Sequence, residues 1–342
     1  MKKLVDDPRL IYNCCDLYYR QEKSQQEICD IFGVSRPSVS RMLKSGRELG
    51  IVRIEIVNPD ATAYGQLERQ LEEAFSLKEA IVVCDSPAQS GAEVGCSALG
   101  SAALSYLARV LHNGDYVGIS MGWTLLQTIK AECGNLEPVH CTFVPLVGGI
   151  GEGSETHANF LTGEFARRFG GERLQLYSPA IFTDPAVLAG FRKERAVRPV
   201  FDLYDRLEAA VFGIGTLDSS RSTAVRLNYV DIHTLEAFSA AGAVGDISLQ
   251  YFDQDGQTAL YESYNERVAG LQLQDLKHVP RRIAIAGGRS KIKAVLGALR
   301  GGFINVLITD ESCARGIAAF IHEEEILAPV LFPITQNSEW KR

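Results

Sequence analysis

The chain has little of what marks a metal protein, a disulfide-stabilised protein or a membrane protein. Its eight cysteines are scattered without a C-x-x-C pair, and its six histidines are equally dispersed, unlike the ligand spacing of zinc sites. No apolar run approaches the ~20 residues of a membrane helix, and residues 1–10 lack the apolar segment of a signal peptide. We therefore expect a cytoplasmic protein with reduced thiols, no metal, no other cofactor and no membrane attachment.

The chain also lacks a positive net charge. Its formal charge of −7 argues against a protein that binds nucleic acid along its whole length. Through residue 59, however, ten Lys/Arg stand against eight Asp/Glu, which leaves +2 for this part and −9 for the remainder. Any DNA binding is therefore expected at the N-terminus, where specific contacts and oligomerisation must supplement phosphate attraction.

The segment 24–50 predicts two short helices joined by a tight turn. Ser24 and Glu27 have the spacing of a capping box, in which each side chain bonds a free amide at the helix start. Gly33 tolerates a positive φ and can end this helix. Pro37 then falls in the first turn of the next helix, where its missing N–H costs little.

The second of these helices has the features of a DNA recognition helix. Ser35 is its cap candidate, and Val39 and Leu43 are four residues apart and should face inward. Basic and hydroxyl side chains on the other face can contact guanine edges and phosphates in a major groove. A plain helical hairpin inside a larger core is the alternative. The predicted DNA-binding residues are Ser35, Arg36, Pro37, Ser38, Ser40, Arg41 and Lys44.

The flanking segments complete a small domain. Residues 8–19 predict a first helix, and residues 51–57 partly alternate apolar and charged residues, as in a strand or wing. Asn58-Pro59-Asp60 breaks this pattern, so we predict a winged helix-turn-helix domain over 1–58. The apolar residues expected to face its core include Ile11, Cys14, Cys15, Tyr18, Ile28, Ile31 and Phe32.

Residues 59–78 predict a connector helix. Tyr64, Leu67, Leu71 and Phe75 form a narrow apolar stripe on a segment rich in Glu and Gln. A stripe this narrow more often packs on a neighbour than fills a core. A dimer contact is the weaker alternative for the same stripe.

From residue 79 to 342 the pattern predicts a mostly parallel sheet with helices on both faces. Strands are expected at 81–84, 116–119, 142–146, 174–177, 209–214, 283–286 and 306–308. Helices are expected at 95–111, 124–132, 158–169, 291–299 and 312–322. Such sheets bind ligands at the carboxyl ends of their strands, so the strand-to-helix loops are where a site is expected.

Glycine-rich segments after several strands could hold a phosphorylated ligand, because their amides and hydroxyls lie at helix starts. Lys291 could neutralise phosphate, and Asp246 could accept hydrogen bonds from hydroxyl groups. Tight turns, an Asx turn at Asp246 and a solvated lysine are the structural alternatives. His157 and Asn159 are equally well explained as ordinary polar residues of a first helical turn. The four segments are 118–124, 144–151, 242–246 and 286–291.

One segment also matches an enzyme motif. Gly118-x-Ser120-x-Gly122 has the nucleophile-elbow pattern of hydrolases, with a strand before it and a helix after it. A catalytic triad would then need one of His233, His278 or His322. A Ser hydrolase or sugar-phosphate isomerase with an attached helical domain is therefore the alternative, although the loops show no convincing acid/base pair.

Taken together, these segments resemble the SorC/DeoR-type family of bacterial sugar-responsive transcription regulators. The resemblance extends from the helix-turn-helix to Asp310, and several segments in a fixed order make it specific. The segments that carry it are SQQEICDIFGVSRPSVSRMLKSGRELGIVRIEI, GDYVGISMGWTL, FVPLVGGIG, AVFGIGTLD, GAVGDISLQYFDQDGQ and AIAGGRSKIKAVLGALRGGFINVLITDE.

The resemblance implies a non-enzymatic regulator with a Rossmann-like effector domain related to sugar-phosphate isomerases and CoA-transferases. It further implies homodimers or homotetramers on operator DNA and a phosphorylated sugar or similar metabolite as effector. Trp123 departs from the family, which often has a smaller or basic residue at this position. The effector contacts that the resemblance implies are Ser120, Gly122, Thr124, Gly148, Gly149, His157, Asn159, Asp246 and Lys291.

Overall fold

The computed structural model describes residues 7–52, 64–85, 96–134, 136–149 and 155–331. Its internal contacts divide the chain into two units, Met1–Ala63 and Tyr64–Arg342. Most of the predicted wing, residues 53–57, lies outside the described residues. Residues 51 and 52, which are described, form a bend.

The described residues of the first unit form three helices, α1 (Pro8–Tyr19), α2 (Gln25–Phe32) and α3 (Arg36–Glu48). The capping box predicted at the start of α2 is present, with Ser24 and Glu27 bonding each other's backbone amides. Gly33 ends α2 with a left-handed φ of 62°. The local signals at both ends of α2 were therefore sufficient to locate it.

The core of this unit is a cluster of apolar and thiol side chains from all three helices. One prediction was wrong, because Ile31 is 55% exposed whereas Cys29 is buried. At 100° per residue, a face that contains Ile28, Cys29 and Phe32 leaves Ile31 outside it. The buried residues are Ile11, Cys14, Cys15, Ile28, Cys29, Val39, Met42 and Leu43.

The second unit contains a seven-stranded sheet in which all described pairings are parallel. The strand order is β1-β9-β8-β5-β2-β3-β4, and this confirms the predicted fold class. The strands are β1 (Glu79–Val83), β2 (Tyr116–Ile119), β3 (Thr142–Pro145), β4 (Glu172–Arg173), β5 (Ala209–Gly213), β8 (Arg281–Ile285) and β9 (Val306–Asp310). A separate antiparallel hairpin contains β6 (Ala243–Ile247) and β7 (Gln250–Asp253).

Helices cover both faces of the sheet, and its side chains alternate between two apolar cores. In β5, Ala210 and Phe212 enter one core, whereas Ala209 and Val211 enter the other. The helices are α4 (Gly65–Phe75), α5 (Cys96–Val110), α6 (Trp123–Lys130), α7 (Ala158–Phe169), α8 (Pro185–Phe191), α9 (Arg198–Phe201), α10 (Thr223–Arg226), α11 (Ile232–Ala240), α12 (Glu262–Asn265), α13 (Leu273–Leu276), α14 (Ile292–Arg300) and α15 (Glu311–Leu331). Short 3₁₀ turns lie at Tyr204–Arg206, Ala259–Tyr261 and Arg289–Lys291.

Helix α4 packs on the edge strand β1. The Glu72 carboxylate accepts the amide of Ala80, and the Glu68 carboxylate accepts the amide of Val82, both at 2.9 Å. Leu71 is fully buried beneath the helix. An edge strand with free amides invites pairing with other chains, so these two carboxylates protect the edge. The connector role of this helix stays a prediction.

Two predictions about strands and loops were wrong. Residues 174–177 do not form a strand, because the Asn159 side chain bonds the main chain of Leu176 through both its oxygen and its nitrogen. Residues 242–246 are not a strand-to-helix loop, since most of them belong to β6. Asp246 therefore projects from a hairpin, where Tyr251 is its direct cross-strand partner.

Candidate functional site

Helix α3, the predicted recognition helix, presents the predicted side chains to solvent. Val39 and Leu43 are buried as expected, together with Met42. Ser38 is half-buried, and the other six predicted DNA-binding residues, Ser35, Arg36, Pro37, Ser40, Arg41 and Lys44, are exposed. The helix therefore has one face that holds it in the core and another that is free to contact a ligand.

Two local contacts orient this exposed face. Ser35 occupies the cap position, but its hydroxyl lies 3.0 Å from the Ser38 hydroxyl and makes no side-chain cap bond to an amide. Arg41 Nε is 3.4 Å from the carbonyl of Pro37, a long contact that leaves most of the guanidinium free. Roles of these residues in DNA binding stay predictions.

In the second unit, the segment between β2 and α6 contains a glycine with a positive φ. Gly122 has a φ of 127°, a value that L side chains rarely adopt. Its N–H donates to the carbonyl of Thr156 at 2.9 Å. Ser120 is buried and its hydroxyl lies 2.8 Å from that of Ser248, while Thr124 is half-buried in the first turn of α6.

Trp123, the first residue of α6, has a cationic neighbour. The Arg226 guanidinium lies 5.7 Å from the centre of the Trp123 ring, close enough for a cation–π attraction. Arg226 belongs to α10, which follows β5 and packs into a third apolar cluster beside the sheet. The bulky residue noted in the sequence is therefore stacked against a positive charge.

Asp246 and Lys291 lie near each other although they are 45 positions apart in the sequence. Asp246 is buried, its Oδ2 accepts the amide of Leu249 at 3.1 Å, and burial raises its pKa from 3.8 to about 6, with Lys291 opposing this shift. Lys291 Nζ donates to the carbonyl of Ile214 at 2.6 Å. A buried carboxyl group and a cation therefore lie near each other beside the end of β5.

Gly215 makes this arrangement possible. A Cβ on this glycine would overlap Asp246 Oδ1 and lie 2.5 Å from its Cγ. The Gly215 amide also donates to the Asp246 carbonyl at 2.8 Å. Sequence reasoning missed Gly215 as a site residue. The available signal was its place directly after the predicted strand 209–214, as the last residue of the GIG segment.

A second group of predicted residues gathers after β3. His157 Nδ1 lies 2.6 Å from the Tyr229 hydroxyl, and burial lowers the pKa of His157, which favours the neutral imidazole. A Cβ on Gly149 would lie 2.8 Å from that hydroxyl, and one on Gly148 would lie 2.5 Å from the carbonyl of Pro179. Both glycines are therefore required by close neighbours, and Tyr229 is a further residue that the sequence gave no reason to select.

Asn159 lies near this group but its side chain already has partners. Its amide nitrogen donates to the Leu176 carbonyl at 3.0 Å, and its oxygen accepts the Leu176 amide at 2.8 Å. These bonds hold the segment after β4. The prediction that Asn159 contacts an effector is untested.

The surroundings of Ser120 do not resemble a hydrolase triad. The partner of its buried hydroxyl is Ser248, and His233 is 95% exposed beside Glu236. Among the residues that the structure describes, no group of three or more His, Cys, Asp or Glu is arranged to hold a metal ion. In the same part of the chain, no helix is both long and apolar enough to cross a membrane.

The chain is similar to a known family of domains and to known regulators. The Sugar-bind family of sugar-binding domains matches residues 60–319. A deoxyribonucleoside regulator from Bacillus subtilis (strain 168) is 32% identical over 308 residues, which cover 88% of this chain and 94% of that protein. The sorbitol operon regulator of Klebsiella pneumoniae is 30% identical over 312 residues, covering 91% and 98% of the two chains.

A solved structure shows the same similarity in three dimensions. The crystal structure of full-length SorC from Klebsiella pneumoniae matches with a TM-score of 0.67 and 30% identity, over 92% of this chain and 99% of that one. These relatives are named as regulators, so the hydrolase or isomerase alternative is not favoured. The chain belongs to the SorC-type family of transcriptional regulators with a sugar-binding domain.

Proposed function

We propose that the chain acts in the cytoplasm as an operator-binding regulator, without enzymatic activity, and that a phosphorylated sugar or similar metabolite controls its DNA affinity. The observation that carries this proposal is that Lys291 lies near the buried Asp246 beside the end of β5 and lowers its pKa against the effect of burial. A cation suits a phosphate group and a carboxylate suits hydroxyl groups. Sorbitol and deoxyribonucleosides, which appear in the relatives' names, both carry at least two hydroxyl groups.

The proposed control acts through the arrangement of subunits. We propose a homodimer or homotetramer in which effector binding changes the spacing of the recognition helices on the operator. The small positive charge of the first unit supports this, because one copy gains little from phosphate attraction. A coupling free energy of roughly 1–3 kcal/mol would change operator affinity by about 5- to 150-fold.

A thermal-shift screen of phosphorylated sugars tests the effector part, because a compound that binds the folded state raises the melting temperature. A binding compound is then added to a fluorescence-anisotropy titration of operator DNA, which is first selected from a random duplex library. The expected result is a change of at least 5-fold in DNA affinity. A chain that binds no duplex with sequence preference and salt sensitivity would contradict the proposal.

Lys291→Ala and Lys293→Ala form a matched pair for the site itself. Lys293 is exposed on α14, two residues from Lys291, so its loss removes the same charge from outside the site. We expect Lys291→Ala to abolish the effector response while DNA binding persists, and Lys293→Ala to preserve both. Equal responses of the two variants would remove Lys291 from the site.

A further inference from the structure

Two buried tyrosines stand beside Asp246. Tyr251 is its direct cross-strand partner in the β6–β7 hairpin, so both side chains project from the same face of the hairpin. The Tyr264 ring centre lies 5.5 Å from that of Tyr251. Tyr251 is fully buried and Tyr264 is 6% exposed. The Asp246 carboxyl group of the proposed effector site therefore has a pair of buried phenol groups beside it.

The hydroxyls of Tyr251 and Tyr264 have no hydrogen-bond partner among the residues that the structure describes. Neighbouring tyrosines differ in this respect. The Tyr261 hydroxyl donates to the carbonyl of Ala241 at 3.1 Å, and the Tyr204 hydroxyl donates to that of Pro145 at 2.9 Å. A buried hydroxyl without a partner destabilises the folded state. Two such groups side by side, next to a carboxyl group, indicate a binding site for a polar ligand.

The chemistry of this site suits a polyhydroxylated ligand. Burial and the nearby Asp246 both raise the phenol pKa values of Tyr251 and Tyr264, so the hydroxyls stay protonated and can donate. The Phe238 ring lies 4.5 Å from the Tyr251 ring and 5.0 Å from the Tyr264 ring, centre to centre. Two donors, one carboxylate acceptor and apolar ring faces complement the hydroxyl groups and C–H groups of a sugar or sugar alcohol.

We propose that Tyr251 and Tyr264 are specificity-determining residues that donate hydrogen bonds to hydroxyl groups of the effector. Asp246 accepts hydrogen bonds from hydroxyl groups of the same effector. This inference rests on the proposed function and assigns the hydroxylated part of the effector to the hairpin. Lys291 remains the partner of its phosphate. Because both rings are buried without the effector, the third apolar cluster, to which Tyr251, Tyr264 and Phe238 belong, must loosen when the ligand enters.

The test uses the full-length chain with Tyr251→Phe, Tyr264→Phe and the double variant. Tyr261→Phe is the matched control, since it removes a hydroxyl of the same aromatic group that already has a backbone partner. The probes are sorbitol 6-phosphate and two matched pairs, glucose 6-phosphate with 2-deoxyglucose 6-phosphate and ribose 5-phosphate with 2-deoxyribose 5-phosphate. Melting temperature without probe and affinity by titration calorimetry are measured for each.

We expect the double variant to lose at least 10-fold in affinity for each fully hydroxylated probe that binds wild type, with a melting temperature no lower than that of wild type. Tyr261→Phe should lower the melting temperature and keep the affinity. Where both members of a pair bind wild type, the deoxy member should lose less affinity when its missing hydroxyl is one that a tyrosine binds.

Two results overturn the inference and are distinguishable. If wild type binds a probe and the double variant binds it equally well, the two hydroxyls bind internal water only, and the proposed function is unaffected. If wild type binds none of the probes, the proposed effector class fails, and the inference that rests on it fails as well.

Discussion

The two units of the chain expose their candidate functional residues in opposite ways. On α3, six of the seven predicted DNA-binding residues are exposed, and apolar neighbours on the other face hold the helix. In the second unit, Ser120 and Asp246 are buried, and Lys291 is half-buried with a bond to the Ile214 carbonyl. One surface is ready for a large partner, whereas the other is already filled by its own contacts.

This difference has an energetic consequence. A residue on the exposed face of α3 can be replaced with little effect on folding, because surface substitutions usually change stability by within about 0.5 kcal/mol. The candidate residues at the strand ends also contribute to stability, since changing one leaves a buried polar neighbour without its partner. Substitutions in the first unit should therefore change DNA binding without changing folding. Substitutions at the candidate effector site of the second unit should change effector binding and stability together.

The largest expected effect is that of Gly215→Ala. The added Cβ would overlap Asp246 Oδ1, so the carboxyl group must move from a position where it bonds the Leu249 amide. Overpacking and the lost bond together should destabilise the second unit by about 3 kcal/mol or more. Urea denaturation of the full chain measures this loss.

Gly190→Ala is the control for that substitution. Gly190 lies in α8 and has no atom within 4 Å of an added Cβ, so alanine should be neutral or stabilising by up to about 1 kcal/mol. Equal stabilities of the two variants would show that Gly215 does not fix the position of Asp246.

The same contrast explains what could be predicted from sequence. The ends of α2 depend on residues within a few positions of each other, such as Ser24, Glu27 and Gly33, so local patterns located them. The parallel sheet was also predictable, because its strands are short apolar runs separated by helical stretches. The error at Ile31 arose because the helical period was correct but the buried face was placed on the wrong side of Ile28. The buried face extends toward Cys29 instead of Ile31.

The strand-end site was only partly predictable for a physical reason. Lys291 bonds a carbonyl 77 residues away, and His157 meets Tyr229 across 72 residues. No local spacing encodes such pairs. Glycine-rich segments indicated where the backbone must pass closely, but they did not distinguish a loop from the β6 strand that carries Asp246, and they gave no sign of Tyr251 or Tyr264.

The second prediction concerns pH and Asp246. Its pKa rises from 3.8 to about 6 on folding, so the folded state holds the proton more tightly and stability falls as pH rises between these values. The loss at neutral pH is about 3 kcal/mol at most relative to a neutral side chain. Asp246→Asn provides that neutral side chain and can still accept the Leu249 amide. Its stability relative to wild type should therefore increase between pH 4 and pH 7.5.

Urea denaturation at both pH values measures this difference, and comparison of the two proteins at each pH cancels other titrating groups. Lys291 lies nearby and reduces the shift, so the gain should be larger when Lys291→Ala is the background. A stability difference that is the same at both pH values would show that Asp246 does not titrate in this range.

The third prediction returns to the exposed surface. Arg41→Ala should weaken specific DNA binding by roughly 10- to 100-fold, or about 1–3 kcal/mol, if its guanidinium contacts a base. The melting temperature should be unchanged, because the side chain is exposed and makes only a long contact to Pro37. Arg20→Ala is the control, since Arg20 is an exposed arginine of the same unit that pairs with Asp16. Loss of effector binding as well would mean that Arg41 is structural.

The smallest effect is expected at the capping box of α2. Ser24→Ala removes the hydroxyl that accepts the Glu27 amide at 3.3 Å and should destabilise the first unit by about 1 kcal/mol. Ser40→Ala, in the exposed middle of α3, should instead be neutral or slightly stabilising, because alanine favours helices more than serine does. Amide hydrogen exchange of α2 resolves the difference within this unit. If both variants exchange alike, the stability of the first unit comes from its apolar core rather than from its helix ends. The residues that stabilise this unit would then be still more clearly separate from the exposed residues predicted to bind DNA.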